Sequence, residues 1–246
     1  MINSISGKVN NINKSVSFCG ADRTAQKGGR FLYYTTTSLF RYDLNWHRIF
    51  NILYEEKPQK IYSIGSSDGS EPYSIVMGLI EKFGIKKAQK FFPIFARDAD
   101  SLNVLQCAGG KFDILTKDFV GISENMDIRK VDVYFPYKKA NGRLERRVSP
   151  VLKENVKFRH SNFINDAQNI DYRNSTIFCR NIWPYFGKEN VVKILKIFAD
   201  KFTDKTKLVL GGYEFQTKKF DMRQMLSDIA KLEEDKTCPL LFRKRQ

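Results

Sequence analysis

Apolar residues along the chain switch repeatedly between a helical period and short continuous runs. Residues 45–56 (NWHRIFNILYEE) place Trp46, Ile49, Phe50 and Leu53 on one helical face. Residues 60–65 follow as a compact apolar run of the kind a buried strand makes. Residues 72–83 read as a helix with Pro72 in its first turn, where a missing N–H leaves no bond unmade. A second strand over 91–96 ends at Arg97-Asp98, and 101–107 form a short helix with Asp100 as its N-cap. The alternation resumes later, with strands at 156–160, 176–179 and 207–212. An amphipathic helix over 188–202 carries Val191, Ile194, Leu195 and Phe198 on one face; a helix at 222–233 and a strand at 239–242 close the pattern. Strands and helices in alternation predict an α/β fold, a mostly parallel sheet with helices on both faces.

Two stretches break this rhythm. Residues 112–155 alternate weakly and predict a small inserted β-subdomain, a hairpin or small sheet. Residues 1–30 are polar and rich in Asn, Ser, Lys and Gly, which predicts a flexible N-terminal arm ahead of one domain over 31–246. A chain of 246 residues allows one large α/β domain or two small ones, and 42% hydrophobic residues suffice for a sizeable core. Charge alters the picture more. Lys+Arg 42 against Asp+Glu 27 gives a net +15. That points to an acidic partner, nucleic acid, anionic lipid or an acidic protein face, or else to a lysine-rich surface without one. The insert concentrates this charge: residues 138–159 hold Lys138, Lys139, Arg143, Arg146, Arg147, Lys153, Lys157 and Arg159 against Glu145 and Glu154. No apolar run approaches the ~20 residues of a membrane span, and the first residues lack the apolar core of a secretory signal. Cys19, Cys107, Cys179 and Cys238 are widely spaced with no CxxC pair, so neither a disulfide framework nor a metal site is expected, and a reducing cytoplasm fits.

Candidate chemistry centres on the turn between the first strand and its helix, GSSDGSEPYS at 65–74. In a parallel sheet, ligands bind at the carboxyl ends of the strands. Gly65 and Gly69 leave room there for a ligand and tolerate a tight turn. The spacing is neither the dinucleotide fingerprint nor a P-loop. Glu71 would repel a phosphate but suits a cation, such as the amino group and sulfonium of S-adenosylmethionine. Asp98, ending the second strand, is placed to accept hydrogen bonds from both ribose hydroxyls. The bland alternative for Asp98 is a solvated residue or a helix cap.

Several segments, in order, resemble the CheR-type chemoreceptor glutamate O-methyltransferases: TSLFR at 37–41, GSSDGSEPYS, ARDAD at 96–100, CAGGKF at 107–112, SNFI at 161–164, FCRNIWPYF at 178–186 and LVLGGYEF at 208–215. The resemblance covers roughly residues 31–215. It implies a Rossmann-like S-adenosylmethionine-dependent methyltransferase fold, with S-adenosyl-L-homocysteine as product. The cofactor contacts it implies are Thr35, Thr37, Arg41, Gly65, Glu71, Asp98, Asn162, Phe163, Asn181 and Ile182, with Arg41 and Tyr185 beside the transferred methyl. The sequence is divergent: Thr35 replaces an asparagine, Ser70 the first glutamate of a pair and Gly187 an aspartate. With about 30 residues before TTTSLFR, most of the family's N-terminal helical domain is expected to be missing.

The resemblance therefore implies methyl transfer to glutamate side chains of a chemoreceptor's cytoplasmic signalling domain, an acidic helical partner for the basic insert. A glutamate is already ionised at neutral pH, with a reference pKa of about 4.3, and needs no general base. His47 and His160 fall in no catalytic motif. The alternatives are a nucleic-acid methyltransferase on the same fold, and a non-catalytic cofactor-binding module. Against the former, CRNIWPYF lacks the double proline common where an amino group in DNA is methylated.

Overall fold

A computed structural model describes residues 37–140 and 142–245. The predicted arm over 1–30 and Thr35 lie outside the described residues. The strands are β1 (Lys60–Ile64), β2 (Ile94–Asp98), β3 (Tyr137–Ala140), β4 (Arg143–Arg146), β5 (Val156–His160), β6 (Ser175–Phe178), β7 (Lys207–Val209), β8 (Leu232–Asp235) and β9 (Cys238–Lys244). The helices are α1 (Trp46–Glu56), α2 (Ser70–Phe83), α3 (Ile85–Ala88), α4 (Ser101–Gly109), α5 (Thr116–Asn125), α6 (Val131–Tyr134), α7 (Pro150–Glu154), α8 (Phe163–Asp166), α9 (Lys188–Lys201) and α10 (Met222–Asp228).

Seven strands form one sheet in the order β5-β2-β1-β6-β7-β9-β8. β5, β2, β1, β6 and β7 run parallel, and β9 and β8 complete the edge antiparallel. This is the expected mostly parallel α/β sheet of Rossmann-like type. From β1 the chain builds outward through β2 to β5, then returns to place β6 on the other side of β1. The strand order thus reverses between β1 and β6, where such sheets leave a crevice at their carboxyl ends.

Strand residues alternate between two cores. Ile61, Phe178 and Val209 pack into a layer with α1 and α2, containing Phe50, Tyr73 and Val76. Tyr62, Ile177 and Leu208 pack into a second layer with α9, containing Val191, Leu195 and Phe198. Both faces are covered, which is why these strands read as continuous apolar runs. Cys107, Cys179 and Cys238 are buried and unpaired. No helix among the described residues is long and apolar enough to cross a membrane.

The segment read as an insert is less of a sheet than its pattern suggests. Its strands are the single hairpin β3-β4, and α5, α6 and α7 make up much of the rest. Phe112, Ile122, Val131, Phe135 and Leu152 belong to the same core layer as α2. α5 also grips the segment before α1: Asp118 accepts the Leu39 N–H at 2.8 Å. A Cβ at Gly121 would lie 2.4 Å from the Leu39 carbonyl oxygen and 2.5 Å from that of Phe40, so this helix approaches only because position 121 has no side chain. Further on, the expected helix at 222–233 ends at Asp228, and β8 begins at Leu232.

Candidate active site

Four strand ends build the crevice, those of β1, β2, β6 and β7. After β1 the chain turns at Gly65, with φ 74°. A Cβ there would sit 2.5 Å from Cγ2 of Ile182, so glycine lets the turns after β1 and β6 touch. Gly65 and Ser66 donate their N–H groups to the Arg97 carbonyl at 2.8 and 3.1 Å, tying this turn to the end of β2.

Asp98 sits at the expected strand end, yet only 4% of its surface is exposed. Its Oδ2 accepts the Ser67 N–H at 2.7 Å and its Oδ1 the Asp100 N–H at 2.8 Å. Burial raises its pKa, and these hydrogen bonds pull it back. The Asn103 side chain donates to the same carboxyl. A carboxylate has about four acceptor sites, so about one remains for a ligand. Asp100 caps α4, its side chain accepting the Leu102 N–H at 2.9 Å.

Glu71 is also at the predicted place, on the first turn of α2, but its charge is matched within the protein. Oε1 accepts from the Ser63 hydroxyl at 2.8 Å, and Oε2 from the Arg180 guanidinium at 3.0 Å. Burial pushes its carboxyl up, against Arg180 and Ser63. Arg180 also pairs with Asp43, whose other oxygen accepts the Gly212 N–H at 3.0 Å. Its guanidinium lies 5.3 Å from the Trp46 ring. Arg180, Asp43 and Ser63 were not singled out from the sequence, and Trp46 was read only as part of a helix face. The signal within reach was the charge of Arg180 directly after the apolar run Ile177-Phe178-Cys179 at the end of β6.

Arg41, Asn181 and Tyr185 do come together. With Asp43, Gly212 and Tyr213 they line a pocket of about 450 Å³ beside the ends of β6 and β7. The Arg41 carbonyl accepts the Trp46 indole N–H at 3.0 Å, so α1 anchors its backbone. Burial and the nearby charge of Arg180 lower the Arg41 pKa. Burial raises that of Tyr185, so its phenol keeps its proton at neutral pH. Asn181 is left-handed, with φ 60°, and its buried Nδ2 has no hydrogen-bond partner. Ile182 is buried, and its N–H donates to Glu214 at 3.2 Å.

The other expected contacts stand differently. Thr37 is half-buried, and its carbonyl accepts from Lys117. Asn162 caps α8, accepting the Ile164 N–H at 3.1 Å. The Phe163 ring lies in the core, 6.4 Å from Phe186 and 6.3 Å from Phe198, which leaves its backbone for any ligand.

The family model for the CheR methyltransferase SAM-binding domain matches residues 36–230. A chemotaxis protein methyltransferase of Vibrio parahaemolyticus is 29% identical over 175 residues, 70% of this chain and 59% of that protein. Chemotaxis protein methyltransferase 2 of Pseudomonas aeruginosa is 31% identical over 147 residues, 58% of this chain and 49% of that protein. The match thus spans less than two thirds of either relative. Among solved structures, a magnesium protoporphyrin IX methyltransferase from Synechocystis with bound SAM covers 81% of this chain and 78% of its own, at 12% identity and a TM-score of 0.41. With the family model spanning most of the sequence, and the motif residues Arg41, Asn181 and Tyr185 lining one pocket, this chain belongs to the CheR methyltransferase family.

Proposed function

We propose that the chain carries the S-adenosylmethionine-binding and methyl-transferring part of a protein-glutamate O-methyltransferase. Its substrate in this reading is the cytoplasmic signalling domain of a chemoreceptor, which places the protein in the cytoplasm. The observation that carries the reading is the meeting of Arg41, Asn181 and Tyr185 in one pocket next to the Gly65 turn. The residues present fit the cofactor: the unpartnered Nδ2 of Asn181 is a donor at the pocket wall, and Asp98 retains about one acceptor site at the end of β2. When bound, the cofactor supplies a methyl group on a sulfonium, open to attack by a carboxylate oxygen.

Arg41 holds the substrate glutamate through its planar two-point grip. The protonated Tyr185 hydroxyl donates a further hydrogen bond at the pocket mouth. No proton has to leave the nucleophile, so these residues act by alignment and partial desolvation of opposite charges. The Asp43–Arg180–Glu71 set has two carboxylates against one guanidinium, and its excess negative charge offsets the charge of Arg41 beside it. An acidic substrate would meet the exposed Lys138, Lys139 and Lys153, which with Arg147 line a groove of about 540 Å³ beside the β3-β4 hairpin. Arg146 is committed to the fold, pairing with Asp132 and lying over the Tyr137 ring.

The test incubates the protein with radiolabelled cofactor and, separately, receptor signalling fragments and RNA. Base-labile label on the receptor is expected, as glutamyl methyl esters give; base-stable label on RNA overturns the reading in favour of a nucleic-acid methyltransferase. Arg41→Lys keeps the charge but loses the fork. It should bind S-adenosylhomocysteine near normally and turn over at least about tenfold more slowly, a barrier increase of about 1.4 kcal/mol. Full turnover in the lysine variant removes Arg41 from the transfer step.

A further inference from the structure

Glu214 is wholly buried, two residues beyond Gly212 in the pocket wall. Its Oε1 accepts the Ile182 N–H at 3.2 Å, and the Asn181 N–H donates to the same carboxyl. Consecutive N–H groups converge in this way because Asn181 is left-handed, which makes a small concavity suited to an oxygen. The Asn181 side chain then rests against Gly211, where a Cβ would meet Nδ2 at 2.5 Å. Oε2 of Glu214 has no partner, and neither have Nδ2 of Asn181 and Nε of Arg180. A buried carboxyl thus grips the backbone of the residue whose amide reaches the pocket.

We propose that Glu214 is a positioning residue of this site: its enclosed carboxyl holds the Asn181–Ile182 turn, and with it the Asn181 amide, in the geometry that receives the cofactor. The proposal rests on the cofactor reading above. The groups facing Glu214 are Arg180 and Cys179 at the end of β6, Arg41 ahead of α1 and Tyr185 in the turn after β6. Burial pushes the Glu214 carboxyl up to about 8, against the pull of Arg180 and the backbone N–H groups. At neutral pH it is uncharged and holds the turn with Oε1. Once ionised, its unpartnered oxygen becomes a strong acceptor, and the unpartnered Asn181 amide is a donor on the turn it already holds. Drawing that amide inward withdraws it from the pocket. Cofactor affinity therefore falls as pH rises through about 8, provided Glu214 carries the titrating proton.

The experiment measures S-adenosylhomocysteine affinity by calorimetry from about pH 6.5 to about pH 9 for the wild type, Glu214→Gln and Glu214→Ala. Glutamine keeps the accepting oxygen and cannot ionise. It should match the wild type within about threefold at the acid end and bind at least about fivefold more tightly than it at the alkaline end. The ligand's own amino group titrates equally against both proteins, so their ratio isolates Glu214. Alanine leaves the two N–H groups without an acceptor and should lose about tenfold or more at every pH. A wild-type to glutamine ratio that stays constant across the range overturns the proposal, as does an alanine variant with wild-type affinity. If alanine prevents folding, the glutamine ratio decides alone. A wild type without affinity at any pH overturns the cofactor reading itself, and the proposal with it.

Discussion

Arg180 is 3% exposed at its side chain and faces two carboxylates that are themselves 17% and 13% exposed, so the three charges are tolerable only as a set. Removing one member of such a set strands the others in a poorly solvated place, at a cost of about 3–5 kcal/mol. Arg180→Met should destabilise the protein by that order in urea denaturation near neutral pH. Part of the loss should return on acidification. Burial already raises the Glu71 carboxyl, and without Arg180 beside it Glu71 takes up a proton more readily. An equal loss at about pH 7.5 and about pH 5 would mean that the pair matters by shape rather than charge. Arg180 escaped notice in the sequence although Asn181 and Ile182 beside it did not, because its partners lie 109 and 137 positions away. For the same reason Glu71 was legible as a carboxylate at a helix start and Asp98 as one at a strand end, but not as side chains already holding Arg180 and the Ser67 N–H. Patterning locates a side chain along its own element and carries no information about what folds onto it.

Among the elements, α5 ties the segment carrying Arg41 to the rest of the domain. Gly121→Ala should push the Leu39 and Phe40 carbonyls outward, at the cost of about 1–3 kcal/mol typical of overpacking. It should also weaken S-adenosylhomocysteine binding by shifting the backbone that leads into Arg41. Gly109→Ala on α4 is the control. Nothing lies within 4 Å of its Cβ position, so alanine there should be neutral or stabilising by up to about 1 kcal/mol. Equal effects from the two substitutions would dismiss the close approach of α5. Elements with a strong period were read well: α1, α4 and α9 begin within a residue of their expected starts. Misreadings occurred where short pieces succeed one another. Met222, Met225 and Leu226 set a helical spacing that Ile229 and Leu232 continue in the sequence, but the chain turns at Lys231, with φ 56° and no glycine to announce it. Over 112–155 the expected hairpin is present as β3-β4, and the short helices that make up much of the rest were not announced by the weak alternation.

At the scale of the whole molecule, a mostly parallel sheet with helices on both faces was legible in the alternating apolar runs, whereas the strand order and the balance of buried charge emerged only from the fold. Burial raises the carboxyls of Asp68, Glu71, Asp98, Asp118 and Glu214 above their ordinary values. In the unfolded chain these groups ionise near their reference values of about 4, so above that pH the folded protein holds more protons than the unfolded one. Stability then falls as pH rises through the folded values of these groups, Glu214 at about 8 among them. The opposite limit comes from carboxyls held low by hydrogen bonds from arginine: Asp127, at about 2 beside Arg129, and Asp171, well below the usual range beside Arg173 and Lys60. Their contribution is present above about pH 4 and is lost only in stronger acid. The protein should therefore melt at its highest temperature in mild acid, and lower at about pH 8 than at about pH 5.5 in the same salt. Glu214→Gln removes a group that ionises at about 8, so scanning calorimetry should find a smaller difference between those two pH values in that variant. The same pH dependence in both proteins would place the titration on the other buried carboxyls and leave Glu214 ionised throughout.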